Sequence, residues 1–230
     1  MRTFFKWILG ILLSLIVVGL IGYLVFDEEK PKGVSGAEAE ALADKMLSAT
    51  NKAAWDTTRV ISWDFDGRHQ FKWNKAQDSV DVRWGDKLVK LHTKSVTGTA
   101  YVSGKQVTGD EANELIQAAW SHFCNDSFWL AAPYKIRDPG TSRSLVSLEN
   151  GTNALLVSYD SGGVTPGDSY LWMLDDAGLP TAWKMWVNII PLGGLKTSWE
   201  NYKTLPSGAV VAQTHEFPMI TLELSDISED

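Results

Sequence analysis

Apolar and polar residues alternate with a period of two through most of the chain after residue 59, which is typical of half-buried β-strands. In the first such segment, Ile61, Trp63 and Phe65 share one strand face. About eleven segments form two groups, 60–107 and 142–226, and short turns connect them. The pattern therefore predicts two antiparallel meanders.

Glycine-containing turns set the expected register of two hairpins. A two-residue turn at Asp66-Gly67 would place the aromatic residues of its two strands on opposite faces. A three-residue loop with Gly67 in the left-handed conformation gathers them on one face and is preferred. At Asn150-Gly151 a two-residue turn fits the apolar pattern and pairs Val146 with Leu155.

Two segments have the 3.6-residue apolar period of a helix. The first runs from Gly36 to near Trp55, and the second from about Asp110 to Phe128. Their apolar stripes are Leu42, Met46, Ala49 and Ala53 in the first helix, and Leu115, Ala118, Ala119, His122 and Phe123 in the second. The order helix, meander, helix, meander predicts a mainly β fold with two or three helices (α+β). In it a curved antiparallel sheet forms an open or half β-barrel that the helices cover.

An apolar segment at residues 7–26 precedes this domain. Its 20 residues carry no charge, and a helix of that length, about 30 Å, crosses a hydrocarbon core. Arg2 and Lys6 precede it and acidic residues follow it, which predicts a cytoplasmic N-terminus and a domain in the periplasm or outside the cell. A cleaved signal peptide is the alternative, but the segment ends without an A-x-A-like site.

The predicted organisation is therefore a cytoplasmic stretch at 1–6, a transmembrane anchor at 7–26, a tether at 27–36 and a half-barrel domain at 37–230. The tether, DEEKPKGVSG, is charged and is interrupted by proline and glycine.

Charge and cysteine content exclude several classes of protein. Arg2 and Lys6 are the only charges before residue 27, so the remainder carries 19 Lys and Arg against 28 Asp and Glu, a formal net charge of −9. So acidic a domain without a basic cluster predicts no nucleic-acid partner. With Cys124 as the single cysteine, no internal disulfide can form.

No motif indicates catalysis or metal binding. The four histidines at 69, 92, 122 and 215 are scattered, and Cys124 lies in an apolar helical stripe where a thiol is ordinarily inert. Asp64, Asp66 and His69 form the best acid–base set, although solvated turn residues explain them as well. We therefore predict no catalytic residue, no metal, no cofactor and no enzyme.

Eleven tryptophans are the unusual feature of the composition. The predicted strands carry large aromatic side chains on both faces, so either helices cover the convex side of the sheet or its concave side forms an apolar cavity. A tryptophan-rich core without a ligand explains the same pattern. The candidate lining residues of an apolar hollow are Trp63, Phe65, Phe71, Trp73, Trp84, Tyr170, Trp172, Trp186 and Trp199.

The order of elements resembles the half-barrel family of lipoprotein carriers and acceptors, the LolA/LolB-like fold, over roughly residues 36–228. The segments Phe128-Trp129-Leu130, Pro133-Tyr134-Lys135 and Asp138-Pro139-Gly140 also resemble a family of bacterial envelope proteins that shares this fold. So do Gly167-Asp168, Trp183 and Trp199-Glu200. The resemblance implies an open barrel of about eleven strands whose hollow face accepts acyl chains.

The chain departs from that family in two ways: it has a predicted anchor where the carrier is soluble, and no lipidated cysteine where the acceptor has one. The leading hypothesis is a membrane-anchored extracytoplasmic binding module for a lipid, a lipoprotein acyl chain or a similar amphiphile. Its expected partners are the membrane and a lipid or lipidated protein. The alternatives are a structural or interaction protein of the envelope with a filled barrel, and a hydrolase that uses Asp64, Asp66 and His69.

Overall fold

The computed structural model describes residues 27–161 and 165–230. The helices are Ala37–Ala49 (α1), Lys52–Thr57 (α2) and Asp110–Ala131 (α3). The first group of strands is Val60–Phe65 (β1), His69–Asn74 (β2), Ser79–Trp84 (β3), Lys87–His92 (β4), Thr97–Val102 (β5) and Lys105–Val107 (β6). The second group is Thr141–Ser147 (β7), Asn153–Tyr159 (β8), Ser169–Leu174 (β9), Pro180–Trp186 (β10), Leu195–Ser198 (β11), Lys203–Thr204 (β12), Val210–Val211 (β13), Thr214–Glu216 (β14) and Thr221–Glu229 (β15).

The strands form two curved antiparallel sheets that do not close. The larger sheet has eight strands in the order β14-β15-β1-β2-β3-β4-β5-β6, and the second has five in the order β11-β10-β9-β8-β7. A two-stranded ribbon, β12-β13, lies beside them. The predicted mainly β architecture with curved, unclosed antiparallel strands is confirmed, but the single predicted sheet is divided into two.

The two sheets meet along a short seam between β11 and β14. Glu200 and Thr214 form an isolated antiparallel bridge there. The Glu200 amide donates to the Thr214 carbonyl at 3.0 Å, and the Gln213 amide donates to the Glu200 carbonyl at 3.1 Å. On the other side, the Trp199 amide donates to the Thr181 carbonyl at 2.9 Å. A few backbone bonds around one residue pair therefore connect the two sheets.

The register predicted for the β1–β2 hairpin is confirmed. Trp63 pairs with Phe71 and Phe65 with His69, which leaves a three-residue loop. Gly67 has a φ of 65° in that loop, as the left-handed position requires. The four aromatic residues of β1 and β2 consequently face the same side of the sheet.

The register predicted for the β7–β8 hairpin is wrong by one residue. Val146 pairs with Ala154 rather than with Leu155. The Leu148 amide donates to the Thr152 carbonyl at 2.8 Å, so the loop has three residues and Gly151 takes a φ of 81°. The Asn150 side chain, which accepts from the Thr152 amide at 3.1 Å, stabilises this longer loop.

The first predicted helix is broken into α1 and α2. Asn51 adopts a left-handed conformation with a φ of 59°, and its side chain accepts from the Ala54 amide at 3.3 Å as the cap of α2. The Thr50 hydroxyl donates to the Met46 carbonyl at 2.9 Å at the end of α1. Thr50 and Asn51 thus form hydrogen bonds with the free backbone groups of the helix ends, and they divide the predicted helix although its apolar stripe is continuous.

The helices cover one face of each sheet, as predicted. α3 packs on β3, β4 and β5, and α1 packs on β7 and β8. α3 extends to Ala131, three residues beyond its predicted end, and buries Ile116, Ala119, Phe123 and Leu130. We call the face that the helices cover the inner face and the opposite face the outer face.

Residues 27–34, predicted to belong to a tether, lie across the outer face of the five-stranded sheet, and we call them the strap. The Glu28 amide donates to the Gly193 carbonyl at 3.1 Å, and the Trp186 indole donates to the Glu28 carbonyl at 2.7 Å. The Glu28 carboxylate also pairs with Lys184 at 2.5 Å. These contacts fix the start of the strap beside β10.

The other end of the strap joins the opposite edge of the same sheet. Val34 and Leu145 exchange two backbone hydrogen bonds of 2.8 and 2.9 Å. Between the two ends, the Lys30 ammonium lies 3.4 Å from the Ser169 hydroxyl. The strap therefore crosses from β10 to β7.

In residues 27–161 and 165–230, no helix has the length and apolar composition that a membrane span requires. The predicted anchor at residues 7–26 lies outside the described residues.

Candidate functional site

Aromatic side chains of β1 and β2 form the first part of the interior. Trp63 stacks on Phe71 with ring centroids 4.6 Å apart, and Trp73 meets Phe123 of α3 edge-on at 5.2 Å. Trp63 and Phe71 are almost completely buried. Because both residues pair directly across the hairpin, the register of β1 and β2 creates this stack.

A second aromatic cluster lies inside the five-stranded sheet. Trp183 contacts Trp172 at a centroid distance of 4.8 Å and Trp199 at 5.0 Å, both edge to face. His215 of β14 meets Trp199 at 4.4 Å across the seam. These four side chains are buried, so the cluster closes the inner side of the seam.

The C-terminal half of α3 joins the two clusters. Trp129 contacts Trp183 at 5.0 Å and Phe217 at 5.5 Å, while Phe128 contacts Tyr170 at 5.0 Å. Trp129 also packs against the core of the larger sheet. One helix therefore connects a continuous apolar interior that both sheets share.

Eight of the nine predicted lining residues face this interior, and one does not. Trp186 lies on the outer face, where its indole contacts the strap. Trp183, which the period of two places on the other face of β10, lies inside instead and is 0% exposed. The residues on the inner face are Trp63, Phe65, Phe71, Trp73, Trp84, Tyr170, Trp172 and Trp199.

Sequence reasoning also missed Trp129 and Tyr134 as interior residues. Trp55 and Tyr134 stack with centroids 4.4 Å apart and planes 2° from parallel. Trp129 lies beyond the predicted end of α3 and Tyr134 lies in the turn that follows this helix, so neither the strand period nor the helical stripe marks them. The segments that carry the family resemblance contain Trp129 and Tyr134, which was the only available signal.

Four buried indole nitrogens have no hydrogen-bond partner among the described residues: those of Trp63, Trp172, Trp183 and Trp199. A buried polar group without a partner ordinarily costs about 1–3 kcal/mol. For Trp172, Trp183 and Trp199 the edge-to-face contacts offset part of this cost, because an indole N–H can point at the face of a neighbouring ring. These indole N–H groups therefore remain available as hydrogen-bond donors in an otherwise apolar interior.

His215 is a polar residue that is fully buried in the interior. Burial lowers its pKa to about 4, against the opposing effect of its contact with the Ser198 carbonyl at 3.2 Å. The ring is therefore neutral at physiological pH and behaves as an aromatic neighbour of Trp199 and Trp129.

The residues Asp64, Asp66 and His69 do not converge. The Asp64 carboxylate accepts from the Gly67 amide at 2.6 Å, and Asp66 pairs with Arg68 at 2.5 Å. Each carboxylate thus has a local structural partner in the β1–β2 loop.

His69 instead contacts α3. Its Nδ1 lies 2.6 Å from Oδ2 of the buried Asp126, and its ring stacks on His122 at 3.9 Å. Burial raises the pKa of Asp126 against the opposing contacts with Asn125 and His69. Burial, together with His69, lowers the pKa of His122. In the described part of the chain, no three His, Cys, Asp or Glu side chains are arranged to hold a metal ion.

Two concavities lie on the outer faces rather than in the interior. One, of about 560 Å³, follows the seam and is lined by polar residues that include Asn201, Gln213 and Glu223. The other, of about 350 Å³, lies on β3–β5 beside Asp81 and Lys90. The seam concavity also touches Tyr202 and Leu224, which pack in the two interior clusters.

The chain was compared with family models, curated proteins and solved structures, and only solved structures match it. No family model matches the chain, and no curated protein matches its sequence. A DUF1329 family protein from Desulfovibrio piger matches with a TM-score of 0.39 and 12% identity, over 84% of this chain and 93% of that chain. A "putative outer membrane lipoprotein-sorting protein domain" from Vibrio parahaemolyticus matches with a TM-score of 0.36 and 13% identity, over 82% and 93%. TM-scores this low support no inference about the function of this chain.

Proposed function

We propose that the chain is a membrane-anchored envelope protein whose domain binds the acyl chain of a lipid or of a lipidated protein, without catalysing a reaction. The observation that carries the proposal is the continuous aromatic interior between the curved sheets and α3. An acyl chain matches its apolar surface, and an ester or amide carbonyl matches its indole donors.

The expected affinity is modest. Each buried methylene contributes about 0.8 kcal/mol, so a chain of about ten gives roughly 8 kcal/mol before costs. Loss of freedom on association and displacement of packed rings reduce that figure. Weak to micromolar binding suits a protein that must release its ligand.

Entry of a guest requires movement, because the rings are in contact with α3. Either α3 shifts along the inner face or the sheets separate at the seam. Both movements expose Trp129, which packs against both sheets. The proposal therefore requires α3 to move away from the interior when a ligand enters.

Fluorescent fatty acid binding tests this function. With cis-parinaric acid, we expect energy transfer from tryptophan and a higher melting temperature. Trp183→Phe keeps an aromatic ring and removes one indole donor, so it should weaken binding about fivefold, equivalent to ~1 kcal/mol. Trp186→Phe, on the outer face, is the matched control and should leave the affinity unchanged.

The placement of the anchor is tested separately. The proposed span at 7–26 should keep the full chain in the membrane fraction after carbonate extraction. Protease added to spheroplasts should degrade the domain. Release by carbonate would exclude the anchor without bearing on the interior.

A structural or interaction protein is the second candidate function. The packed rings and the position of both concavities on the outer faces favour it. In that case Trp183→Phe changes only stability, and the fatty acid alters neither tryptophan emission nor the melting temperature. That pair of results would replace the binding proposal.

A further inference from the structure

Exposed aliphatic side chains are concentrated at one end of the domain. Ile189 is 66% exposed, Met219 93% and Ile220 61%. Among the described residues, the fourth large hydrophobic residue with comparable exposure is Val34, on the strap. We call Ile189, Met219 and Ile220 the apolar end. Single exposed aliphatics are ordinary, but a group at one end indicates an interaction surface.

Strand pairing brings these three residues to the same end. Met185 of β10 pairs with Leu195 of β11, so the loop that carries Ile189 projects from the end of the sheet marked by this pair. The bridge between Glu200 and Thr214 aligns β14 antiparallel to β11, which carries the β14–β15 tip in the same direction. Ile190 and Phe217, each next to or near an exposed member, pack in one core.

The chain enters the domain at this end as well. The Gly193 amide donates to the Asp27 carboxylate at 2.7 Å, and the Glu28 amide donates to the Gly193 carbonyl at 3.1 Å. Gly193 follows Ile189 by four residues, which is at most about 14 Å of chain. Residue 27, directly after the apolar segment 7–26, is therefore held in the loop that bears Ile189.

We propose that the apolar end docks on the outer surface of the bilayer, with Ile189, Met219 and Ile220 inserted among the lipid headgroups. This rests on the proposed anchor, because a span that ends at residue 26 leaves Asp27 at the membrane surface. The strap then fixes the orientation of the domain, since its bonds tie residues 27 and 28 to Gly193 in the loop 187–194 and to Trp186 at the end of β10.

Charge determines the kind of docking. The part of the chain after residue 26 has a formal net charge of −9, so anionic lipids repel it overall. Insertion of aliphatic side chains is the remaining attraction, and it acts equally on zwitterionic lipid. Docking should therefore occur on phosphatidylcholine and should change little with salt.

Site-specific fluorescence on the full chain tests the proposal. A Cys124→Ala chain with Met219→Cys, labelled with NBD and reconstituted in phosphatidylcholine vesicles, should emit at shorter wavelength than in denaturant. Lipids with a nitroxide on the acyl chain should quench it severalfold. Ala177→Cys is the control, because it precedes β10 and is separated from Ile189 by the length of that strand, about 20 Å. Its emission should not be quenched.

A second variant separates insertion from mere proximity. In a chain with Ile189→Ser, Met219→Ser and Ile220→Ser, an NBD label at Thr221→Cys should lose the quenching that it shows without the serines. The three side chains are exposed, so the fold should persist.

Each remaining outcome overturns the proposal. Equal quenching at 219 and 177, or none at 219 in a chain that resists carbonate, excludes docking and leaves the anchor intact. Cross-linking of 219 between two copies without lipid quenching identifies a self-association face instead. Release of the chain by carbonate removes both the anchor and the docking.

Discussion

The indole nitrogen of Trp186 donates a 2.7 Å hydrogen bond to the backbone carbonyl of Glu28, 158 positions earlier in the chain. Together with the Lys184–Glu28 ion pair, this bond makes the charged segment before α1 a part of the folded domain. The segment that composition marks as a flexible connection is held by specific contacts at both of its ends.

Gly193→Ala should release the start of the strap. A Cβ at this position would lie 2.5 Å from the Glu28 carbonyl oxygen and 2.7 Å from Cδ1 of Trp186. Loss of these contacts, about 1.4 kcal/mol, should make trypsin cleavage after Lys32 about tenfold faster. Lys196→Ala, at an exposed position in neighbouring β11, is the control and should cleave at the wild-type rate.

Removal of two tyrosine hydroxyls should have opposite consequences. The Tyr134 hydroxyl donates to the Val210 carbonyl at 2.6 Å and accepts from the Val210 amide at 3.0 Å. Tyr134→Phe should therefore lower the free energy of unfolding by about 1–3 kcal/mol. The buried Tyr159 hydroxyl has no partner among the described residues, so Tyr159→Phe should be neutral or stabilising. Urea denaturation measures both, and equal losses would contradict the assignment.

His215 should make the domain sensitive to acid. Its folded pKa of about 4 lies below the ordinary value of 6.5, so the unfolded chain takes up the proton first as the pH falls. The contribution of the neutral ring to stability is complete above about pH 6.5. As the pH falls from there to about 4, the free energy of unfolding should decrease by roughly 3 kcal/mol. His215→Gln should flatten this part of the stability profile, whereas His92→Gln, at an exposed position, should not.

Cys124 should be inert in the folded protein. Burial raises the pKa of its thiol to about 12, so almost no thiolate is present at neutral pH. Iodoacetamide should label the native chain far more slowly than the chain in guanidinium chloride. Rapid labelling of native protein would show that α3 opens frequently.

The features that local pattern determines were predictable from the sequence. The glycine at 67 and the aromatic alternation around it define a single register that places all four rings on one face, and β1 and β2 adopt it. The covering role of the helices followed from the need of a long antiparallel sheet to close or be covered, and from the two helices available for it. Both predictions depend on residues that are close in the chain.

Two kinds of feature were not predictable: those that depend on distant contacts, and those set by one side chain that hydrogen-bonds the nearby backbone. A period of two assigns Trp183 and Trp186 to opposite faces but does not say which face α3 covers, and the strap contacts only the outer one. The alternation of apolar residues was also insufficient to set the register at Asn150-Gly151. The Asn150 side chain stabilises a three-residue loop there, whereas the pattern predicted a two-residue turn. The break at Asn51 is a capping effect that an apolar stripe does not record.

The bridge between Glu200 and Thr214 has a mechanical consequence. Within each sheet, neighbouring strands share ladders of several residue pairs, whereas here few backbone bonds resist a change of angle between the two halves. Bending should therefore concentrate at this junction, and the amides of Glu200 and Gln213 should exchange with deuterium sooner than those in the middle of β9. The domain would then behave as two stiff plates with a compliant hinge, and Trp199 and His215 would be the first rings to part.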